Sequence, residues 1–369
     1  MNNSIIPPSP SVLNAPASVS DYWSHPAVIA KTNFQSKSLS GWSFNTAIGC
    51  AHACRFCYVP SVSTVHLALQ LAPLGVRDPD ADWGRYVFLR PWEEEAFLKS
   101  LRHANFVARR DSLVGHTQAV MFSSTTDPYQ VIPNPNPTKS RELTAANLAM
   151  VERALELIRD QSTLNVRILT RSPLAKEHFD LFRSFGPRLL FGMSVPTLRH
   201  DLAAVYEPKA PAPSRRLDAL QSAKDAGLNV YVAMAPTYPE SDIDDLRKTM
   251  QAFTGLDPLT IFHEPINIRA ENVARIAAHA KTQGVTLNTG VFDSQKNWSE
   301  YALRSFKDVI RVAKELNVMN RLHLWPDKSL GHHSIVSVRR DPAAYQRWLD
   351  ECWNRVSAWP LVNAGGTTP

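Results

Sequence analysis

From Gly41 onward the chain alternates short apolar runs with longer stretches in which apolar residues recur at helical spacing. Six runs have the length and the branched or aromatic content of buried strands: Ser43–Ile48, Ala119–Ser123, Val166–Thr170, Leu189–Ser194, Asn229–Ala233 and Leu259–His263. Amphipathic segments such as Glu142–Arg159, Ser214–Ala226 and Asp242–Phe253 fall between them and predict helices. Strand–helix units repeated in this way predict an α/β fold with a parallel sheet covered by helices. Right-handed crossovers curl such a sheet into a partial (β/α)6 barrel of the TIM type. Two later strand candidates, Val285–Asn288 and Leu322–Trp325, flank a helix at Trp298–Leu316, and the pattern leaves open whether they extend the barrel or nearly close it. Residues 1–40 are rich in Pro, Ser, Asn and Ala and lack a sustained period. The expected organisation is therefore a loosely ordered arm over 1–40, a barrel over 41–330, and a C-terminal helical extension and tail over 331–369.

In barrels of parallel strands, reactive groups lie on the loops that follow the strands' C-terminal ends. The polar residues here are placed that way. A cysteine-bearing loop follows the first strand candidate, and the next strands end at Ser123-Ser-Thr-Thr-Asp127, Thr170-Arg171-Ser172, Ser194, Ala235-Pro236-Thr237-Tyr238 and His263-Glu264-Pro265.

The cysteine loop carries the sharpest chemistry. Three of the four cysteines fall in Cys50-Ala-His-Ala-Cys54-Arg-Phe-Cys57, followed at once by Tyr58. Three thiolates at this spacing suit one iron–sulfur cube, leaving one iron without a protein donor. The same residues with His52 also suit a closed Cys3His zinc site. His52 fits better as a donor beside the cysteines than as a ligand. The fourth cysteine, Cys352, lies in an amphipathic aromatic stretch and reads as a packing residue.

The Cys-x3-Cys-x2-Cys run, with Phe56 before the last cysteine and Tyr58 after it, resembles the motif of radical S-adenosylmethionine (SAM) enzymes. The resemblance continues in order through Ser124-Thr-Thr-Asp127-Pro-Tyr129, Ile168-Leu-Thr-Arg171-Ser, Met193-Ser194, Glu207-Pro208-Lys-Ala-Pro211 with Arg215-Arg216-Leu217, and Ala223-Lys-Asp-Ala-Gly227. Over about Phe44 to Pro239 the chain looks like the spore photoproduct lyase-like branch. This implies a partial barrel of the radical SAM kind, with Cys50, Cys54 and Cys57 holding a [4Fe-4S] cluster whose open iron binds SAM. It implies Thr126 and Asp127 as contacts to the ribose and amino end of SAM, Arg171 and Ser194 as contacts to its carboxylate, and Ala235 beside them on the cofactor. A hydroxyl, a carboxylate and a guanidinium suit those partners. The same residues also suit an Asx turn at Asp127, an ion pair at Arg171 and a backbone-bonded strand end at Ser194. One departure stands out: where authentic lyases carry a cysteine that returns a hydrogen atom to the product radical, this chain has Ser124. An O–H bond is too strong for that task, which moves the expected quenching to another route involving Tyr58 or Tyr238, and argues against true spore photoproduct repair.

Composition narrows the setting. At 369 residues and 44% hydrophobic content the chain supports a large core. The N-terminus has no basic segment followed by an apolar stretch, and no run approaches the roughly 18–20 apolar residues of a membrane span. With few cysteines, a cytoplasmic setting is expected. The net charge of +6 favours an anionic partner, although the basic residues are dispersed. Glu264, at the end of a buried strand, is a candidate for binding substrate or moving a proton, or for pairing inside the rim. The proline-rich loop from Asp127 to Pro137 is a candidate lid or a plain connection, and His332-His333 a surface turn. The expectation is an enzyme that receives one electron from an external donor and cleaves SAM reductively, yielding a 5′-deoxyadenosyl radical that abstracts hydrogen. Its substrate is open, with nucleic acid one candidate. The rival is a non-catalytic iron–sulfur or zinc protein that binds nucleic acid on a retained barrel.

Overall fold

The computed structural model describes residues 18–32, 34–122, 124–331 and 340–360. In chain order the strands are β1 (Val19–Tyr22), β2 (Ile29–Lys31), β3 (Trp42–Phe44), β4 (Ala47–Gly49), β5 (Tyr86–Leu89), β6 (Ala119–Phe122), β7 (Asn165–Thr170), β8 (Leu189–Ser194), β9 (Val230–Thr237), β10 (Ile261–Pro265) and β11 (Leu322–Leu324). One sheet runs in the order β2-β3-β6-β7-β8-β9-β10-β11. Its strands are parallel from β3 to β11, and β2 is antiparallel at the edge. Val120, Val166, Ile168, Phe191, Val230, Val232 and Ile261 are almost fully buried, as the interior of a parallel sheet covered by helices requires. Burial of each such side chain contributes about 1.5–3 kcal/mol.

The helices start where the sequence supplies caps. Asn136 accepts the N–H groups of Thr138 and Lys139 to open Pro137–Gln161, and Asp242 does the same for Asp244 and Asp245 in Ile243–Thr254. Ser294 accepts from Asn297 at the start of Gln295–Glu315. These helices, with Pro213–Asp225, connect successive strands of the large sheet.

The structure departs from the sequence reading at four places. The run Ser43–Ile48 is two strands: β3 lies in the barrel sheet, and β4 leaves it to pair antiparallel with β5. The chain turns at Asn45 because its side chain bonds the end of the next barrel strand, donating to Ser124 Oγ at 2.7 Å and accepting from Thr125 N at 2.9 Å. The cysteine loop therefore hangs from a second sheet, β1-β5-β4, rather than directly from the barrel. That sheet has its own core of Trp23, Ile48, Leu71, Trp83, Tyr86 and Phe88.

Val285–Asn288 forms no strand. Val285 N instead donates to Ala280 O beyond Gly284, whose φ of +66° closes the helix Asn272–Thr282. Leu322–Leu324 does extend the sheet, which stays open between β2 and β11.

Residues 18–40 are not a loose arm, since β1 and β2 pair into both sheets. The segment Phe34–Leu39 then spans toward the last strand. Lys37 O accepts from Trp325 Nε1 at 2.9 Å, and Ser38 Oγ meets Ser357 Oγ at 3.1 Å. The C-terminal extension is the helix Pro342–Asn354, and Cys352 packs partly buried against the main core. His332 and His333 lie outside the described residues.

Candidate active site

β4 delivers Cys50 at its end, through Gly49 at φ +90°. A Cβ there would stand 2.2 Å from Tyr86 O, so the position requires glycine. The loop that follows is pinned by side chains from four directions. Thr126 Oγ1 donates to Gly49 O at 2.6 Å, while Gln130 accepts from Ala51 N at 2.6 Å and donates to Thr126 Oγ1 at 2.7 Å. From the helix Asn272–Thr282, Asn272 donates to Phe56 O, and Arg275 donates to the carbonyls of Arg55 and Cys57. Arg55 N donates to Tyr206 O, and Lys209 N to His52 O. Ala53, at φ +57°, packs against Gly84.

Cys50, Cys54 and Cys57 line one cavity of about 470 Å³. Burial raises all three thiols, Cys54 to about 12. Thiols in such a site become ligands when a bound cation compensates the thiolate charge. His52 does not turn toward them: its Nε2 lies 3.1 Å from Asp127 Oδ2. Among the described residues, no group of three or more His, Cys, Asp or Glu side chains is gathered closely enough to hold a single metal ion. Three thiols spread around one cavity, without a converging fourth ligand, fit a cube with an open corner better than a closed zinc site.

The structure brings most of the sequence-derived candidates to this cavity. Ser124, Thr126, Asp127, Arg171, Ser194, Ala235, Tyr58 and Glu264 all line it. Tyr238 does not; it is buried behind the wall, stacked on Tyr206 with ring centroids 4.0 Å apart.

Thr126 and Asp127 are occupied by protein. The Thr126 hydroxyl donates to Gly49 O and accepts from Gln130. Asp127 Oδ1 accepts from Tyr129 N at 2.9 Å and Thr170 Oγ1 at 2.6 Å, and Oδ2 from Arg171 N at 2.8 Å with His52 beside it. An ionised carboxylate has about four acceptor sites, and four neighbours fill them. Burial opposes ionisation of Asp127, but attraction to His52 and these hydrogen bonds outweigh it and hold the carboxyl at about 2. The two residues brace the site, and the Asx-turn reading of Asp127 describes its bond to Tyr129.

Arg171 forms the ion pair that its sequence allowed and leaves the rest of its guanidinium open. Its Nε pairs with Glu207 Oε1 at 2.5 Å, while its terminal nitrogens make no hydrogen bond among the described residues and its side chain keeps 18% exposure. Ser194 Oγ likewise has no bond among them, and Ser194 O accepts from Arg216. Glu264 is held at the cavity's other end. Lys37 Nζ lies 2.7 and 2.5 Å from its two carboxylate oxygens, and Asn267 donates to Oε1 at 2.5 Å.

The proline-rich loop is no lid over the cavity. Tyr129, Gln130 and Ile132 are buried, and Ile132 is tied at both N and O to Thr144 and Ser140.

Several neighbours of the site were given no role by the sequence reading. Glu207 is fully buried between Arg171 and Arg216, its oxygens 2.5 and 2.6 Å from their nitrogens. Burial works against its charge, yet Arg216 and Arg171 hold its carboxyl below the usual range. Gln130 joins the cysteine loop to the segment after β6, Asn45 ties the turn between β3 and β4 to the same segment, and Lys37 comes from the supposed arm. A signal existed for β5, whose Tyr-Val-Phe-Leu run has strand composition. None existed for Lys37, whose partner is 227 residues away.

The chain is similar to several known proteins. Residues 44–253 match the radical SAM superfamily. An uncharacterized protein of Acidianus two-tailed virus is 32% identical over 248 residues, 65% of this chain and 72% of the relative. An uncharacterized protein of Methanocaldococcus jannaschii is 22% identical over 227 residues, 61% of this chain and 70% of that one. Among solved structures, a point mutant of spore photoproduct lyase superposes with a TM-score of 0.57 at 12% identity, covering 83% of this chain and 80% of the lyase. A double mutant of that lyase with bound AdoMet and dinucleoside spore photoproduct gives 0.55 at 13% identity over the same shares. At such identity the likeness is one of fold. The match over more than half its length, on the segment that carries the cysteine loop and strands β4 to β9, means that the chain belongs to the radical SAM superfamily.

Proposed function

We propose that the protein is a radical SAM enzyme acting in the cytoplasm, which cleaves SAM reductively in this cavity and uses the resulting 5′-deoxyadenosyl radical to abstract hydrogen from a substrate. One observation carries the reading: three thiols, that of Cys54 buried and those of Cys50 and Cys57 half-buried, share one cavity with a guanidinium that has open terminal nitrogens and an unbonded serine hydroxyl. Cys50, Cys54 and Cys57 would hold a [4Fe-4S] cluster, which, given an electron by an external one-electron donor, would supply the reducing power for the cleavage. Arg171 presents its terminal N–H groups to a carboxylate, and Glu207 and the Asp127 contact to its backbone fix its orientation before anything binds. Ser194 donates to the same carboxylate, and Ala235 offers an apolar wall. Thr126, Asp127 and Gln130 act indirectly by holding the cysteine loop.

Anaerobically reconstituted protein is expected to carry about four irons and to form 5′-deoxyadenosine from SAM under strong reduction. Cys54→Ala is expected to lose both. Stoichiometric zinc without iron uptake would sink the reading and favour the non-catalytic alternative.

The substrate side follows from Ser124 and Tyr58. Ser124 accepts from Asn45, and its O–H bond is too strong to serve as a hydrogen-atom donor. Tyr58 OH stands on the same wall, donating to Ser124 O at 3.0 Å. A lyase of this fold has been solved with a dinucleoside, and the chain carries a +6 charge; both support a nucleic-acid substrate with a different outcome from spore photoproduct repair. The protein is expected to form 5′-deoxyadenosine yet leave spore photoproduct unconverted. Catalytic conversion of that lesion to two intact thymine nucleosides, read by chromatography, would overturn this view of Ser124.

A further inference from the structure

The cysteine loop has a face turned away from the cavity. Cys54, Phe56 and Cys57 line the cavity, whereas Arg55 does not. Arg55 is half-buried on the loop's outer face, and its guanidinium has no hydrogen bond or ion pair among the described residues; its Nε is fully buried without a partner. An uncompensated guanidinium in such a place is costly. Other cations gather around it. Arg275 donates to Arg55 O at 3.1 Å, and exposed Lys209 bonds the same loop through its backbone and reaches Gly84 O at 2.8 Å with Nζ. Asp80 pairs with Arg275, and Asp82 with the neighbouring Arg85. Arg55 and Lys209 have no carboxylate partner among the described residues.

None of Arg55, Lys209 or Arg275 faces the cavity, so a ligand bound there does not explain them. The segment that Arg275 touches carries exposed apolar side chains. Arg275 lies 3.5 Å from Ser61 Oγ, and the segment after Cys57 exposes Val62, Val65 and Leu69, the last at 92%. Cations mixed with exposed apolar side chains suit a folded protein surface better than a bare phosphate backbone.

We propose that Arg55 and Lys209, with the segment from Val62 to Leu69, form the docking surface for a small acidic one-electron donor protein. The inference rests on the radical SAM reading above and assigns the electron's entry to the outer face of the cysteine loop. An electron delivered there reaches Cys54 through the adjoining residue while the cavity is filled. The complementary charges would steer encounter and make it salt-dependent.

The test uses anaerobically reconstituted protein and a bacterial flavodoxin as the acidic probe. Arg55→Glu and Lys209→Glu are each expected to weaken flavodoxin binding roughly tenfold at low salt, a difference that shrinks as salt is raised. Arg55→Lys should retain binding. The cluster spectrum reports whether each variant is loaded, and Arg55→Gln and Lys209→Gln, with smaller losses expected, stand in for a reversal variant that fails to load. With dithionite in place of flavodoxin, loaded variants should form 5′-deoxyadenosine as the wild type does. Unchanged flavodoxin affinity in both reversal variants overturns the surface. So does a loss of affinity for single-stranded DNA with flavodoxin binding intact, which would make it a nucleic-acid contact. Absence of 5′-deoxyadenosine from the wild type with dithionite would instead overturn the enzymatic reading beneath it.

Discussion

Glu207→Ala should destabilise the protein by about 3–5 kcal/mol, the cost of breaking a buried ion pair by removing one partner. Glu207 is completely buried and neutralises two guanidinium groups, Arg171 at 2.5 Å and Arg216 at 2.6 Å. Arg216 is itself 1% exposed and fixes the end of β8 through Ser194 O at 3.0 Å and the chain at Pro211 O at 2.7 Å. Without Glu207, two positive groups share a low-dielectric pocket and no described acid replaces it. The double variant Glu207→Ala/Arg171→Ala should lose less than the sum of the two single changes, because it removes one of the stranded charges with the acid. Denaturant unfolding of the three variants measures this. A loss below about 1 kcal/mol for Glu207→Ala would show that water enters the pocket and solvates the arginines, a surface-like value.

The second large effect is expected at Gly84. Its φ of +85° costs an L-residue about 1–2 kcal/mol. More important, a Cβ there would stand 2.1 Å from the Cβ of Ala53, between His52 and Cys54 in the cysteine loop. Ala53 is fully buried, and its backbone is also left-handed, so the loop has little freedom to retreat. Gly84→Ala is therefore expected to displace the loop and abolish stable iron retention and 5′-deoxyadenosine formation. Gly227→Ala is the control: its φ is +77°, but nothing lies within 4 Å of the added atom, so it should carry the backbone cost alone. Iron content and the visible spectrum after anaerobic reconstitution distinguish the two. A Gly84→Ala protein that keeps wild-type iron would mean that the contact with Ala53 is not what shapes the loop.

The parallel strands of the barrel were largely legible because they are fully buried. A continuous apolar run marks β6 and β8 without reference to their neighbours, and helix caps such as Asn136 and Asp242 act within three residues of themselves. The cysteine spacing is also local: three thiols within eight residues must share one loop wherever it lies.

Tertiary structure decided where hydrogen-bonding capacity goes. In the sequence, Thr126 and Asp127 look the same whether they face a ligand or a neighbour. Only the fold shows that Gly49, Gln130, His52, Tyr129, Thr170 and Arg171 meet them. The division of Ser43–Ile48 was hidden for a similar reason. Its apolar residues are buried on both sides of the turn, one half in the barrel and the other against β5, so the hydrophobic pattern is unbroken although the partner sheet changes. The supposed arm lacks a period because its strands are three and four residues long, and it is ordered by distant partners such as Trp325 and Glu264. By itself the sequence determined the elements that local periodicity stabilises and the chemistry that one short loop concentrates. Pairings across tens to hundreds of residues selected which polar groups brace the site and which remain open to the cavity, because a hydrogen bond depends on the position and orientation of its partner, and local sequence carries neither.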